Sequence, residues 1–567
     1  MPSLTHKIIN GHKYYYARVC KRFNGKPKIV ETHYLGTVEK MIASLRQSRD
    51  IPQAREVCIK QLGATAALYQ IAKRLQVIEI IDRHVAKRKQ GPTVGQYMLI
   101  AAINRASHPT SKAALAQWFE TTVGPRLFGI SPKQLTSQAF WNHMDHIRPE
   151  DLINIENDLL SRLIQEFNID LNCLLYDGTN FYTYINTKTD SKLAQRGHNK
   201  QKRTDLRQVS LGMMTSVDFH IPLLHMVYGG NISDPTQFSS VIDELVGRYK
   251  HLTQLCPRIT LVFDKGNNSK LNLESFAGTN MHFVGSLKLS QCKDLLSIAL
   301  QKYKPLAGED LREVQAYRTT YTVFAERRTV VITYNENLLA GQIQGIGRNI
   351  AKCKAELEDI QIKLKGRESG KISKGKKPTI EATQAAVLKI LQREYMQEIF
   401  KTSVSLENGF VKLHYQVNQN AIAHLSRTVL GKTILFTDND QWTDEQIIRA
   451  YRSQYKIEHA FRDMKNPHFL GWNPRLHWTD QKIRVHAFYC VLALTLVSLL
   501  KKHLASQNIA VSTQCLMSNL NDIRESIIVY SPESISKKPR ISCSLSQLTK
   551  IQKTLFEALQ LDQFKQS

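Results

Sequence analysis

The fold is decided by a strand-rich stretch that begins with LNCLLYD at 171–177 and continues with VSLGMMTSVD at 209–218 and IPLLHMVYGGN at 221–231. Two further segments follow, ITLVFD at 259–264 and HFVGSLK at 282–288. Short apolar runs of this kind, bounded by polar residues or glycine, predict strands. The first three runs are expected to be successive antiparallel strands.

Two helices are predicted between the later strands. DPTQFSSVIDELVGRY at 234–249 has Asp234 in the capping position and Pro235 in the first turn, which is typical of a helix start. SKLNLESF at 269–276 predicts a shorter helix. Three antiparallel strands followed by helix, strand, helix and strand is the order of a ribonuclease-H-like fold. The predicted class is therefore α/β, within an α+β chain of several domains.

A chain of 567 residues is expected to contain three or four structural units. Changes in periodicity divide it into six predicted segments. The helical pattern at 51–165 fits a DNA-binding region, and a plain helical bundle would give the same pattern. The segments are a β-hairpin region with a turn at Asn24-Gly25 (1–50), a helical, DNA-binding region (51–165), the first part of a catalytic core (166–290), a β-rich insertion with a basic helix and loop (291–440), the second part of the core (441–505) and a helical tail (506–567).

Charge points to the partner. Lys and Arg number 77 against 49 Asp and Glu, a formal net charge of +28. Such an excess makes nucleic acid the first partner to consider and an acidic membrane surface the second. The simpler alternative is a protein with a basic surface and no polyanionic ligand.

Cysteine usage and hydropathy bear on the compartment. The nine cysteines are odd in number and never form a Cys-x-x-Cys pair, which argues against a disulfide framework and a zinc ribbon. The longest apolar run, 487–500, is shorter than the ~20 residues that span a bilayer. We expect a buried core helix there, no membrane partner and a cytoplasmic protein.

Three carboxylates stand out. Asp177 and Asp264 each close a predicted apolar strand, and Glu458 lies within YRSQYKIEHAFRDMK. Steps of seven residues turn a helix by about 700°, so Tyr451, Glu458 and Lys465 would share one face of a continuous helix. Mg²⁺ and Mn²⁺ prefer carboxylate oxygens, and two such ions catalyse phosphodiester chemistry. The set therefore predicts a two-metal site acting on a polyanion.

Each residue also has a simpler interpretation. An aspartate that ends a strand before glycine is more often a turn former, and a glutamate on an amphipathic helix is usually solvated. Arg462 and Lys465 would then be surface cations. The combination favours the metal site, because two such aspartates follow buried-type strands and the glutamate has cationic neighbours suited to phosphate oxygens.

These residues, together with motifs spread over about 170–490, resemble the DDE transposases of bacterial insertion sequences with a Tyr–(2)–Arg–(3)–Glu–(6)–Lys signature. In this chain the signature positions are Tyr451, Gln454, Glu458 and Lys465, so glutamine replaces the arginine; Arg452 or Arg462 could serve instead. The motifs that carry the resemblance are YDGTNFY (176–182), RGHNKQKRTDLRQVSLGM (196–213), GGNISD (229–234), FDKGNNSKLNL (263–273), LFTDND (435–440) and IEHAFRDMK (457–465).

The resemblance implies a site and its partners. Asp177, Asp264 and Glu458 would be the catalytic and metal-binding triad, holding two Mg²⁺ or Mn²⁺ ions. DNA contacts would come from Tyr451, Arg462, Lys465, Lys200 and Arg203. The partners would be the inverted repeats at the transposon ends, target DNA and a second copy of the chain in a synaptic homodimer. Two alternatives stay open, a metal-dependent nuclease on the same fold and an inactive derivative that only binds DNA.

Overall fold

The structure is a computed structural model in which the chain forms two compact units. The terminal unit comprises Met1–Gly63, Thr121–Val123 and Asn519–Ser567, and the central unit comprises Ala64–Glu120 and Gly124–Ser518. Of the residues that the structure describes, 47% are helical and 27% are in strands, which confirms a mixed α/β, multi-domain chain. The residues described are 2–23, 26–47, 54–86, 90–186, 188–197, 203–232, 258–268, 270–274, 276, 281–472, 476–530 and 540–566.

The strands, in chain order, are β1 (Pro2–Ile9), β2 (His12–Phe23), β3 (Lys26–Gly36), β4 (Ala54–Gln61), β5 (Cys173–Thr183), β6 (Arg207–Ser216), β7 (Pro222–Gly229), β8 (Ile259–Phe263), β9 (Met281–Leu287), β10 (Lys304–Pro305), β11 (Val314–Val323), β12 (Glu326–Asn335), β13 (Phe400–Glu407), β14 (Phe410–Val417), β15 (Lys432–Thr437), β16 (Arg524–Tyr530) and β17 (Ile541–Leu545).

The α-helices are α1 (Val38–Gln47), α2 (Gly63–Arg74), α3 (Val77–His84), α4 (Val94–Ser107), α5 (Leu115–Glu120), α6 (Gly124–Phe128), α7 (Ser137–Asp145), α8 (Pro149–Phe167), α9 (Lys270–Glu274), α10 (Lys293–Leu296), α11 (Glu336–Glu368), α12 (Ile380–Ile390), α13 (Met396–Ile399), α14 (Gln419–Thr428), α15 (Asp444–Arg452), α16 (Gln454–Lys465), α17 (Asp480–Ala505), α18 (Thr513–Asp522) and α19 (Lys550–Ala558).

A nine-stranded sheet organises the central unit, in the order β10-β11-β12-β15-β9-β8-β5-β6-β7. Strands β5, β6 and β7 pair antiparallel, whereas β8 pairs parallel to β5 and β9 pairs parallel to β8. The five strands predicted within 171–288 therefore form as expected. The helix predicted at 234–249 and the turn at Asn24-Gly25 lie outside the described residues.

The predicted β-rich insertion is divided between two substructures. Strands β11, β12 and β15 extend the main sheet through the pairing of β15 with β9. Between β12 and β15, helices α11 to α14 and the hairpin β13–β14 enclose a separate apolar core that includes Cys353, Leu357, Met396 and Leu413. Strand patterns alone do not identify pairing partners, so the sequence did not distinguish these two groups. The six segment boundaries stay predictions.

Two differences from the expected secondary structure concern the terminal unit. The hairpin expected at 1–50 is a three-stranded antiparallel sheet, because β1 also pairs with β2. The tail expected to be helical at 506–567 contains β16 and β17, which form a sheet with β4. The local sequence pattern did not predict these strands because their pairing is long-range. Strands β4 and β16 are more than 460 residues apart in the chain and stabilise each other only after folding.

The RGH and GGN motifs, which flank β6 and β7, are held together by hydrogen bonds and close backbone packing. The Gln208 side chain donates to the Gly230 carbonyl at 2.7 Å, and the Gln208 and Gln195 backbones exchange hydrogen bonds of 2.8 and 3.0 Å. A Cβ at Gly230 would collide with the Gln208 carbonyl, and one at Gly197 would collide with the Gly230 carbonyl. The glycines in RGH and GGN are therefore needed for close backbone packing.

Helix α17 is the core helix of the central unit. It is long and apolar enough to cross a membrane, yet 94% of its apolar stretch is buried by the protein. It packs on α4, α7, α8 and β7. The apolar run at 487–500 therefore lies in the interior, as expected.

Polar side chains are buried beside α17. Lys112 lies with Nζ 2.6 Å from Nε2 of His477 and 3.4 Å from the Tyr489 hydroxyl, and its Nζ is 4.6 Å from the Trp141 ring centroid. Burial, and next the nearby Arg105 guanidinium, lowers the pKa of Lys112 to about 7. Burial likewise lowers the pKa of His477 well below its usual value.

Gly230→Ala is expected to lower the free energy of unfolding by about 1–3 kcal/mol, because a methyl group is forced against rigid backbone. Gly345→Ala in α11 is the control: nothing lies within 4 Å of its Cβ position, so a gain of about 0.5–1 kcal/mol is expected. Urea unfolding of both variants measures the difference. Equal effects would contradict the packing argument.

Lys112 is expected to make stability depend on pH. The folded-state pKa of about 7 lies below the unfolded value, so the unfolded chain binds the extra proton between the two pKa values. Stability should therefore rise as the pH increases from about 7 towards about 10.5. In Lys112→Met this rise should shrink, whereas the exposed Lys133→Met should retain it. Thermal unfolding midpoints across this range provide the test, and unchanged behaviour in Lys112→Met would contradict it.

Candidate active site

Asp177 and Asp264 occupy the same level of the sheet. In the parallel pair β5–β8, Tyr176 lies opposite Phe263, and each aspartate is the next residue along its strand. Neighbouring strands are about 4.8 Å apart, and residues at one level of a parallel pair face the same side. The two carboxylates therefore start from adjacent backbone positions on one face.

The local setting of the two aspartates differs. Asp177 lies inside β5, which continues to Thr183, so it does not end the strand as expected. Asp264 follows β8 directly and caps a short 3₁₀ helix at Lys265–Asn267. The Oδ1 atom of each accepts the next residue's amide, at 2.8 Å for Asp177 and 2.7 Å for Asp264. Asp264 thus fits a turn-forming role as well, whereas Asp177 does not.

Helix α16 covers the face on which Asp177 lies. Asp177, Thr179 and Phe181 alternate along β5 and therefore point to one side. The Lys465 ammonium, at the end of α16, donates to the Thr179 hydroxyl at 2.6 Å and lies 5.4 Å from the centroid of the Phe181 ring. The contact between α16 and β5 is thus on the aspartate side of the sheet.

The direction of α16 places Glu458 along the same strand. Near the start of the helix, Lys456 donates to the Val217 carbonyl at 3.3 Å. Val217 directly follows the last residue of β6, and that end of β6 pairs with the beginning of β5. Helix and strand therefore run in the same direction. Glu458 lies between Lys456 and Lys465, on the stretch that passes Asp177, and it shares its helix face with Lys465.

The three carboxylates do not form a closed ligand set. Glu458 and Asp264 are exposed and Asp177 is half-buried. Within the described ranges no group of three or more His, Cys, Asp or Glu side chains lies close enough to hold a metal ion. The fold brings the two aspartates to one level and one face of the sheet, and the third carboxylate lies on the covering helix.

Tyr451 lies on a different helix from Glu458, contrary to the single helix assumed from its spacing. Helix α15 ends at Arg452 and α16 begins at Gln454. The intervening Ser453 donates its hydroxyl to the Arg449 carbonyl at 2.8 Å, a back-bond that bends helices. The seven-residue spacing therefore relates Glu458 to Lys465 but does not place Tyr451 on their face.

The hydroxyl of Tyr451 reaches the sheet. It donates to the Ser286 hydroxyl at 2.7 Å, and burial, followed by the charge of Asp264, raises the pKa of Tyr451. Because Val262 pairs with Val284 in β8–β9, Ser286 is level with Asp264. Ser286 was absent from the predicted site; aligning HFVGSLK in parallel with ITLVFD would have found it.

The remaining predicted residues have varied environments. Gln454 is half-buried, and its Nε2 has no hydrogen-bond partner among the described atoms. Arg452 donates to the Asp310 carbonyl at 3.3 Å. Arg462 is exposed, and Arg203 forms a two-bond ion pair with Asp205 at 2.7 Å. Lys200 lies outside the described residues.

The LFTDND motif holds the strands beside the site in register. Asp438 accepts the Phe283 amide at 2.9 Å, and Thr437 donates to the Phe283 carbonyl at 2.6 Å. Burial is the main cause that raises the pKa of Asp438. This aspartate therefore ties β15 to β9 and supports the segment that carries Ser286.

Tyr451→Phe and Ser286→Ala are each expected to lower the free energy of unfolding by about 0.5–1.5 kcal/mol, because each removes the same half-buried hydrogen bond. The double variant should cost less than the sum, since the second substitution has no bond left to break. Urea unfolding of the four proteins measures this coupling. Strict additivity would contradict a direct bond between the two hydroxyls.

Comparisons with known proteins identify the family. The family model described as "Transposase DDE domain" matches residues 170–496, a range that contains all three carboxylates. No curated protein matches. A cryo-EM structure of the piggyBac transposase synaptic complex with hairpin DNA matches with 9% identity and a TM-score of 0.35, over 84% of this chain and 81% of that chain. Since the family model covers more than half of the chain, the protein belongs to the transposase DDE domain family.

Proposed function

We propose that this protein is the transposase of a bacterial insertion sequence, which binds the ends of the element and catalyses metal-dependent strand cleavage and strand transfer. One observation carries the proposal: Asp177 and Asp264 lie at the same level of adjacent parallel strands, on the face that the helix bearing Glu458 covers. Family membership supports DNA transposition in general, and this geometry supports the particular residues.

The strand order supports a ribonuclease-H-like catalytic core. Strands β7, β6 and β5 are antiparallel neighbours, and β8 and β9 continue the sheet in parallel. This is the order expected from the sequence pattern. Strands β10 to β12 and β15 enlarge that core, and the α11–α14 region with its own apolar core is the insertion between them.

The carboxylates fit divalent cations. Asp177, Asp264 and Glu458 offer oxygen donors only, which suits Mg²⁺ or Mn²⁺ better than softer metals. They would hold two ions together with phosphate oxygens of the DNA. Such a pair, when bound, activates the attacking oxygen and stabilises the leaving oxygen of a phosphodiester.

Other side chains would position the DNA. Lys465, held beside Asp177 through Thr179, can neutralise a phosphate, and the exposed Arg462 is on the same helix. Arg203 and Lys200 precede β6, and Arg203 would exchange its pairing with Asp205 for a phosphate. Tyr451 would act through Ser286 by fixing α15 against the sheet.

The reaction would proceed in two steps on one site. Water attacks the phosphodiester at the end of the element and releases a 3′-hydroxyl, which then attacks target DNA. Two ends must meet for this outcome, so we propose a homodimer in the synaptic complex, acting in the bacterial cytoplasm on nucleoid DNA. The helical region at 51–165 is the proposed end-binding domain.

A DNA-binding derivative without catalysis is the second candidate. Glutamine at the signature arginine position and the exposure of Glu458 favour it. Activity of the intact chain distinguishes the two candidates.

The test is cleavage and joining of a linear DNA that carries the element's own terminal inverted repeats, with Mg²⁺ or Mn²⁺. The wild type should nick the ends and form joined products. Asp264→Asn and Glu458→Gln should each lower the cleavage rate at least about 100-fold, since removing even a supporting group around a metal costs 10–100-fold. Asp359→Asn is the matched control, because this exposed aspartate lies on α11, outside the strands and the helix that carry the three carboxylates.

Three outcomes are informative. Cleavage that survives Glu458→Gln would remove this residue from the triad. End binding without cleavage by the wild type would favour the binding-only derivative. Cleavage without any joined product would favour a metal-dependent nuclease.

A further inference from the structure

The three-stranded sheet of the terminal unit has one face without acidic groups. Cross-strand pairs define it: Thr5 lies opposite Tyr16, Lys7 opposite Tyr14, and Tyr34 pairs with Tyr16 from the other side. Paired residues in a sheet point to the same side. We call this surface the tyrosine face; its members are Ser3, Thr5, Lys7, Ile9, His12, Tyr14, Tyr16, Arg18, Thr32 and Tyr34.

The tyrosine rings on this face contact one another. The centroids of Tyr16 and Tyr34 are 5.2 Å apart, and those of Tyr14 and Tyr34 are 6.2 Å apart. The Lys7 ammonium is 5.8 Å from the centroid of the Tyr16 ring. Side chains stand roughly perpendicular to a sheet, so the hydroxyls and the ammonium lie at the outer surface. Tyr34 is 56% exposed.

Among the described residues no ion pair involves Lys7 or Arg18 of this face, whereas His12 lies within electrostatic range of Glu39 on α1. Glu31 pairs with Val19 on the opposite face of the sheet, and the other glutamate between residues 2 and 47, Glu39, is on α1, against nine Lys and Arg. Arg18 is half-buried, and its Nε has no hydrogen-bond partner among the described atoms. This Nε could therefore donate to a phosphate oxygen.

We propose that the tyrosine face binds the sugar–phosphate backbone of duplex DNA. Arg, Lys, Ser, Thr and Tyr side chains are the usual donors to phosphate oxygens, and this face carries all five types with no carboxylate among its own members. This inference rests on the proposed function only in taking DNA as the ligand. It assigns a contact surface separate from the carboxylate site.

The width of the sheet decides how it binds. Three strands about 4.8 Å apart span about 10 Å before side chains are added, whereas the major groove, about 12 Å wide, admits a two-stranded ribbon. The sheet therefore lies across the backbone rather than inside the groove. Binding through this face is independent of sequence and sensitive to salt.

The experiment compares two double variants that remove the same charge from opposite faces. Lys7→Gln/Arg18→Gln alters the tyrosine face, and Lys13→Gln/Lys21→Gln alters the other face. The full-length protein is titrated by fluorescence anisotropy, with EDTA present, against a duplex carrying the terminal repeat and a scrambled duplex. Salt is varied from about 50 to about 200 mM. Circular dichroism verifies folding, and the exposed Lys7→Gln alone provides a variant that leaves the fold undisturbed.

The tyrosine-face pair should bind both duplexes about 25-fold more weakly near 0.15 M salt, with a salt slope shallower by about 2, because each phosphate contact contributes a slope of about 0.9. Lys7→Gln alone should show about half of the slope change. The control pair should change affinity less than about twofold, since solvated cations on the far face neutralise no phosphate.

Equal losses in both double variants would overturn the inference, because net charge alone would then explain them. Wild-type affinity in the tyrosine-face double variant would also overturn the inference. If the wild-type protein still cleaves transposon ends in that case, only this inference fails. Loss of binding in the tyrosine-face pair alone, in a protein that never cleaves, would support the surface and reject the proposed catalysis. A wild type that binds neither duplex would reject both.

Discussion

The parallel pairing of β5 with β8 is the constraint on which the candidate site depends. Strand β5 is antiparallel to β6 on one side and parallel to β8 on the other. Parallel neighbours require a crossover connection and bring their carboxyl ends to one edge. Residues 87 positions apart, Asp177 and Asp264, thereby meet at one level, and β9 adds Ser286 at the same level. An antiparallel pairing would have reversed β8 and moved Asp264 away from the level of Asp177.

Helix α16, which covers the aspartate side of the sheet, is held by different interactions at its two ends. At its start, the Tyr451–Ser286 hydrogen bond fixes the preceding helix to β9. At its end, Lys465 binds Thr179, and Trp472 stacks on Phe181 with centroids 4.2 Å apart. An aromatic pair adds about 0.5–1.5 kcal/mol beyond area burial, while an exposed charged contact is screened by solvent. We infer that the buried stack contributes more to holding the helix, and that Lys465 stays available for a phosphate.

The buried polar groups beside α17 connect this packing to the core. The Trp472 carbonyl contacts Nε2 of His486 at 2.5 Å, and Nδ1 of His486 lies 2.5 Å from the Tyr489 hydroxyl. Lys112 and His477 complete the group. Burying so many titratable groups costs free energy unless they are hydrogen-bonded, and their close pairing provides this compensation. Phe181 is thus joined through Trp472 to the interior of the central unit.

The sequence by itself determined the local elements and the choice of candidate residues: the five strands within 171–288, the core helix at 487–500, and the positions of Asp264 after a strand and of Glu458 on a helix. These depend on periodicity and turn chemistry, which act over a few residues. Tertiary structure alone decided which strands pair: β12 and β15 extend the main sheet, and β4 pairs with β16. It also decided that Ser453 separates Tyr451 from the helix face of Glu458 and that Ser286 is level with Asp264. These features depend on strand pairing and register between distant segments, which a local pattern cannot encode because the hydrogen bonds involved form between backbone groups common to every residue.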